Sequence, residues 1–110
     1  MLETLYNPED TDERCGIVLK SGEVIEVENI ADDKTDTYVM DPTAIAPLLA
    51  ADEVAGTWHT HPGGSPNLSG EDYLGFLDYP DLAHTIIGLR DGVVVAQRYT
   101  IVNGLVVACD

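Results

Sequence analysis

The chain has 110 residues, 45% of them hydrophobic, and sets 20 Asp plus Glu against 5 Lys plus Arg for a formal charge of −15. Such a field repels phosphate backbones, which argues against ordinary nucleic-acid binding and favours a basic or extended protein partner, or simply a very soluble surface. The apolar fraction supports one core in one domain, 1–110, and no apolar run approaches the roughly 20 residues that a membrane span needs.

The opening "MLETLYNPED" has no basic region followed by an apolar stretch, so no secretory leader is expected and the cytoplasm is the expected compartment. "NPEDTDE" reads as a polar turn or a frayed helical cap. "RCGIVLK" and "EVIEVEN" read as two strands of a hairpin closed at Ser21-Gly22. "IADDKTD" is a loop and "TYVM" a short strand. Asp41 then offers an N-cap with Pro42 at the first helical position, and Pro47 keeps the following helix short or kinked.

"VAGTWHTH" reads as a strand that runs into a Pro- and Gly-rich loop over 62–68. Ser69 looks like the N-cap of a second helix, with Glu71 and Asp72 in its first turn and an end near Leu77. "HTIIGL", "VVVAQRYTIV" and "LVVAC" complete the β content. Strands outnumber helices and helices fall between strands, so the expected fold is α/β: one mixed β-sheet flanked by short helices. Sheet edges in so small a domain also make a homodimer an expectation.

Residues i and i+2 of a strand share a face, roughly 6.5–7 Å apart. His59 and His61 therefore point the same way, while Trp58 turns to the other face and fills core. A helix that begins just after the loop can return Asp72 to the two imidazoles. An H-x-H pair alone is shared by many hydrogen-bonded histidines. The fuller pattern H-x-H-P-x6-S-x2-D is more specific, because a loop and a helix cap fall where convergence requires them. Two imidazoles and one carboxylate suit zinc, and three protein ligands leave a fourth position for water. Cys15 and Cys109 are too few for a disulfide scaffold, and Cys15 is expected to pack beneath the sheet. His84 stands far along the chain and is expected to be structural.

"HTHPGGSPNLSGED" resembles the JAMM motif of the MPN+ (Jab) domains, zinc isopeptidases with a cytidine deaminase-like fold. The resemblance implies His59, His61 and Asp72 as Zn2+ ligands and Ser69 as a donor to the oxyanion of the tetrahedral intermediate. It also implies a glutamate in an E-x-C-G context, which "ERCGIVL" supplies as Glu13, the proton acceptor and later donor. Beyond the motif, "RCGIVLKSGEVIEVENIADDKTDTYVMDP" and "HTIIGLRDGVVVAQRYT" are similar to the Jab domain of phage tail assembly proteins. The substrate class implied is a protein, either a ubiquitin-like conjugate or a phage tail protein. A tail-assembly module with a structural or vestigial zinc site is the alternative. RadC-type proteins share a similar pattern, but a charge of −15 offers little to DNA.

Overall fold

The computed structural model describes residues 1–109. A 3-10 turn, Leu2–Leu5, precedes β1 (Cys15–Leu19) and β2 (Val24–Val27); α1 (Pro42–Ala50) leads to β3 (Val54–Thr60), and α2 (Gly70–Leu77) to β4 (Ala83–Arg90), β5 (Val93–Val102) and β6 (Leu105–Cys109). The six strands form one sheet in the order β2-β1-β3-β4-β5-β6. Among the described residues only β3 and β4 run parallel, and α2 is the crossover between them. This is the expected α/β fold with a mixed sheet and two short helices.

Local chemistry explains most boundaries. Asp41 caps α1 by accepting from the Thr43 N–H at 3.0 Å, and Pro42 opens the helix, as expected. Pro47 stays inside α1, whose nine residues end at Ala50, so the helix is short. The β4–β5 and β5–β6 hairpins turn on Asp91-Gly92 and Asn103-Gly104, all four residues at positive φ between 53° and 78°. That pairing is the type I′ turn, whose twist matches the strands it joins.

One expectation is corrected. "TYVM" does not form a strand; only Met40 makes an isolated bridge, to Asn29. The reason is side-chain competition: the Asn29 amide takes the Thr37 carbonyl at 3.1 Å and the Val39 N–H at 3.1 Å, the groups a ladder would have used. The N-terminal 3-10 turn is an element that the sequence reading left out. It lies against β4 and β5, held where the Arg14 guanidinium donates to the Leu5 carbonyl.

Arg14 also clasps Glu26 through two hydrogen bonds of 2.9 and 2.7 Å and lies 6.0 Å from the centre of the Trp58 ring. Trp58 is fully buried, and its indole N–H donates to the Ile25 carbonyl at 3.3 Å. The opposite face of the sheet carries Phe76 of α2 packed on Ile86 and Tyr99. His84 is buried there, stacked 4.3 Å from Phe76. Its Nδ1 takes the Thr57 hydroxyl at 2.7 Å and its Nε2 meets the Tyr79 carbonyl at 3.0 Å. Burial lowers its pKa, so it sits as a neutral, satisfied ring.

Candidate metal centre

The parallel β3–β4 pair builds the site. β3 delivers His59 from a fully buried position, and His61 follows one residue past the strand, tied by its N–H to the Ile87 carbonyl of β4 at 2.9 Å. The chain then loops and enters α2 through a capping box: the Ser69 hydroxyl accepts from the Asp72 N–H at 3.1 Å, and Asp72 Oδ2 accepts from the Ser69 N–H at 3.1 Å. The cap fixes Asp72 in the first turn of α2, where the helix dipole favours a carboxylate. Asp72 Oδ1 lies 3.0 Å from His59 Nε2, Asp72 Oδ2 lies 3.1 Å from His61 Nε2, and the two Nε2 atoms are 3.2 Å apart. The three side chains read from the pattern thus converge on one point.

Glu13 joins them. One of its carboxylate oxygens and one nitrogen of each histidine all lie within 4.8 Å of one another, a group that can hold a metal ion. Glu13 is 7% exposed. Its backbone is held at both ends, the N–H donating to the Lys34 carbonyl at 2.6 Å and the carbonyl accepting from Asn29 Nδ2 at 2.8 Å. Asn29 completes its four bonds by accepting from the Ala31 and Val39 N–H groups. This buried amide ties Glu13 to the 30–39 loop, whose Tyr38 ring stacks on His59 at a centroid distance of 4.2 Å. Thr37 fastens the same loop to α2 through a 2.7 Å bond to Glu71.

The electrostatics call for positive charge. Burial pushes the Glu13 carboxyl up to about 7, a rise that His61 opposes and Asp72 reinforces. Burial also acts to raise Asp72, but hydrogen bonds from His59 and His61 win and hold it well below the usual carboxylate range. The imidazoles diverge. Burial keeps His59 neutral, whereas His61 is pulled above its ordinary value by its bonds to Asp72 and the Ser65 carbonyl, against the effect of burial. A proton on His61 supplies one positive charge among these groups; a divalent cation supplies two.

One ring is oriented for an ion. His61 Nδ1 donates to the Ser65 carbonyl at 2.8 Å, so it keeps its proton when the ring is neutral, and loss of the Nε2 proton that bonds Asp72 bares a lone pair toward the centre. His59 Nδ1 is buried without a hydrogen-bond partner among the described residues, while its Nε2 faces the centre. Cys15 is fully buried, its thiol pushed up to about 12 by burial and donating to the Val27 carbonyl at 3.5 Å, so it rests as a protonated thiol packed in the core.

Sequence reasoning missed the supports of this centre. Gly88 is one: a Cβ there would stand 2.5 Å from the Gly64 carbonyl oxygen and 2.8 Å from the Ser65 carbonyl carbon. The 63–66 loop therefore rests on bare β4 backbone, tied by the Leu89 N–H to the Gly64 carbonyl at 2.7 Å. Gly88→Ala should lift that loop, draw the Ser65 carbonyl from His61 and weaken metal binding by roughly 10–100-fold, the usual effect of disturbing a ligand's support. Isothermal titration calorimetry checks it; unchanged affinity would mean that the carbonyl does not orient the ring. The "NIA" run around Asn29 was visible in the sequence, but nothing local distinguished its amide from a loop residue.

The family model described as prokaryotic homologs of the JAB domain matches residues 5–101. Two solution structures share the fold. One is a protein of Desulfitobacterium hafniense, with TM-score 0.67 and 22% identity, covering 91% of this chain and 77% of that one. The other is a protein of Salinibacter ruber, with TM-score 0.52 and 20% identity, covering 98% of this chain and 79% of that one. No curated protein matches the chain. With the matched region spanning both histidines, Asp72 and Glu13, the chain belongs to the prokaryotic homologs of the JAB domain.

Proposed function

We propose that the protein is a zinc-dependent peptidase that hydrolyses a peptide or isopeptide bond in a protein substrate. The observation that carries this reading is the convergence of His59, His61 and Asp72: the two Nε2 atoms stand 3.2 Å apart, and each lies 3.0–3.1 Å from one of the two oxygens of Asp72. Nitrogen and oxygen donors around a tetrahedral zinc ion stand about 3.3 Å from one another. The spacing and the donor chemistry both fit. When bound, zinc would supply a Lewis acid and lower the pKa of a coordinated water.

The protein's own groups would do the rest. Asp72, fixed by the capping box and in contact with both rings, is the third ligand. Glu13 stands off at the wider spacing, which suits a carboxylate that acts through a water molecule. With its carboxyl raised to about 7, it can accept a proton near neutral pH and return it to the departing amine. Ser69 uses its oxygen as an acceptor from the Asp72 N–H, which leaves its hydroxyl proton free to donate to a developing oxyanion. The substrate is a ubiquitin-like conjugate or a phage tail protein, acted on in the cytoplasm.

The test is a cleavage screen of the zinc-loaded protein against isopeptide-linked ubiquitin-like conjugates and phage tail proteins. The expected result is hydrolysis of at least one, lost on chelation and restored by zinc. A tail-assembly module with a non-catalytic site is the second reading, favoured only by the similarity of the flanking segments. It gains ground if the loaded protein binds tail proteins but leaves every one intact.

A further inference from the structure

We propose that the cleft between α1 and α2 is a binding pocket for a bulky apolar side chain, carried on an extended polypeptide segment with Lys or Arg beside it. The pocket has a volume of about 440 Å³, within the roughly 300–1,000 Å³ of small-ligand sites. Ile17 and Val54 from the sheet, Ile45 and Leu49 from α1, and Phe76 and Leu82 give it an apolar lining. None of the α1 residues is buried. The helix thus presents apolar side chains to a space that the chain itself does not fill. Val39, 48% exposed, and Tyr79, 44% exposed, also line it, so the pocket opens to solvent.

Position and charge name the occupant. Asp72 lines the pocket, as does Tyr38, whose ring stacks on His59, so pocket and metal centre share a wall. A polypeptide lying across the centre can drop one side chain into this space, which makes the pocket a specificity site for the hydrolysis proposed above. Glu71 and Asp78 stand in the lining beside Asp72, whose charge a bound cation would offset, and no Lys or Arg does among the described residues. Acidic walls repel an acidic segment and an anionic lipid surface alike, and favour cationic neighbours of the apolar side chain. A second copy of this chain, at −15, is a poor occupant.

The chain has two methionines, which makes the test direct. Met40 lines the pocket and Met1, 97% exposed, serves as internal control. Zinc-loaded protein carrying ¹³C-methyl methionine is titrated with acetyl-Lys-Leu-Arg-amide and followed by NMR. A saturable shift of the Met40 methyl is expected, with Met1 unmoved. The Lys-Ala-Arg analogue should bind roughly tenfold more weakly or worse, the factor for losing a buried aliphatic side chain. The Glu-Leu-Glu analogue should produce no shift. Ile45→Trp, which fills the space, should abolish the Met40 response with zinc binding intact; Leu49→Phe serves if that variant does not fold. Equal binding of the Leu and Ala peptides, or a silent Met40 at millimolar peptide, overturns the pocket. Cleavage of a substrate with Met40 silent counts against the pocket alone. A Met40 shift in a protein that hydrolyses nothing counts against the hydrolase reading and leaves the pocket standing.

Discussion

Replacing Glu13 with Gln is expected to lower hydrolysis by roughly 10²–10⁴-fold, the range for loss of a positioned general base. The fall should appear in kcat, with KM and zinc content little changed, because an acceptor of the attacking water's proton matters most in the transition state. The pH profile gives an independent check. Only the carboxylate accepts a proton, so the rate of the zinc-loaded wild type should climb with pH along a limb below about 7, the value to which burial raises this carboxyl in the metal-free protein. A bound cation shifts that limb to lower pH, and in Glu13→Gln the limb should vanish. Misfolding is easily told apart from loss of the base. A carboxyl whose folded pKa is raised stabilises the fold below its unfolded value and loses that contribution as pH climbs through the folded one. The Gln variant should therefore melt at or above the wild-type temperature at pH 8. Full activity in the variant on a substrate the wild type cleaves would remove Glu13 from the chemistry.

The second large effect is on stability. Three buried or half-buried donors gathered at one point are held together by the fold and by whatever cation they bind. Zinc at a hundred times its dissociation constant should add about 2.7 kcal/mol and raise the melting temperature by on the order of 10 °C for a chain of this size. Asp72→Asn keeps an oxygen for the helix cap but removes the charge, and it should abolish most of the shift. The pH dependence has a definite sign. His61 is raised above its ordinary 6.5 and must lose its proton to bind, so zinc stabilisation should grow as pH rises through and beyond 6.5. An equal shift in wild type and Asp72→Asn, measured by differential scanning fluorimetry, would place the ion elsewhere.

What the sequence made legible follows from how local each signal is. His59, His61, Ser69 and Asp72 fall within fourteen residues of one strand, one loop and one helix cap, and each follows from period, turn chemistry or capping preference. Glu13 lies 46 residues upstream of His59, and it was found only through its E-x-C-G setting. The supports were invisible because they depend on distant partners. Asn29 reaches back 16 residues to the Glu13 carbonyl, and Gly88 matters because the 63–66 loop lands on it. Neither partner is implied by the residues around them. The missed 3-10 turn and the strand wrongly expected at "TYVM" share one cause: tertiary hydrogen bonds from Arg14 and Asn29 overrode local preference.

Zinc K-edge X-ray absorption on protein titrated to saturation, with metal counted per chain, probes the centre most directly. The expected result is one zinc coordinated by nitrogen and oxygen alone, two of the donors imidazoles, with binding lost in His59→Ala. Sulfur from Cys15 or Cys109 in the coordination sphere, or undiminished zinc uptake by His59→Ala, would contradict it.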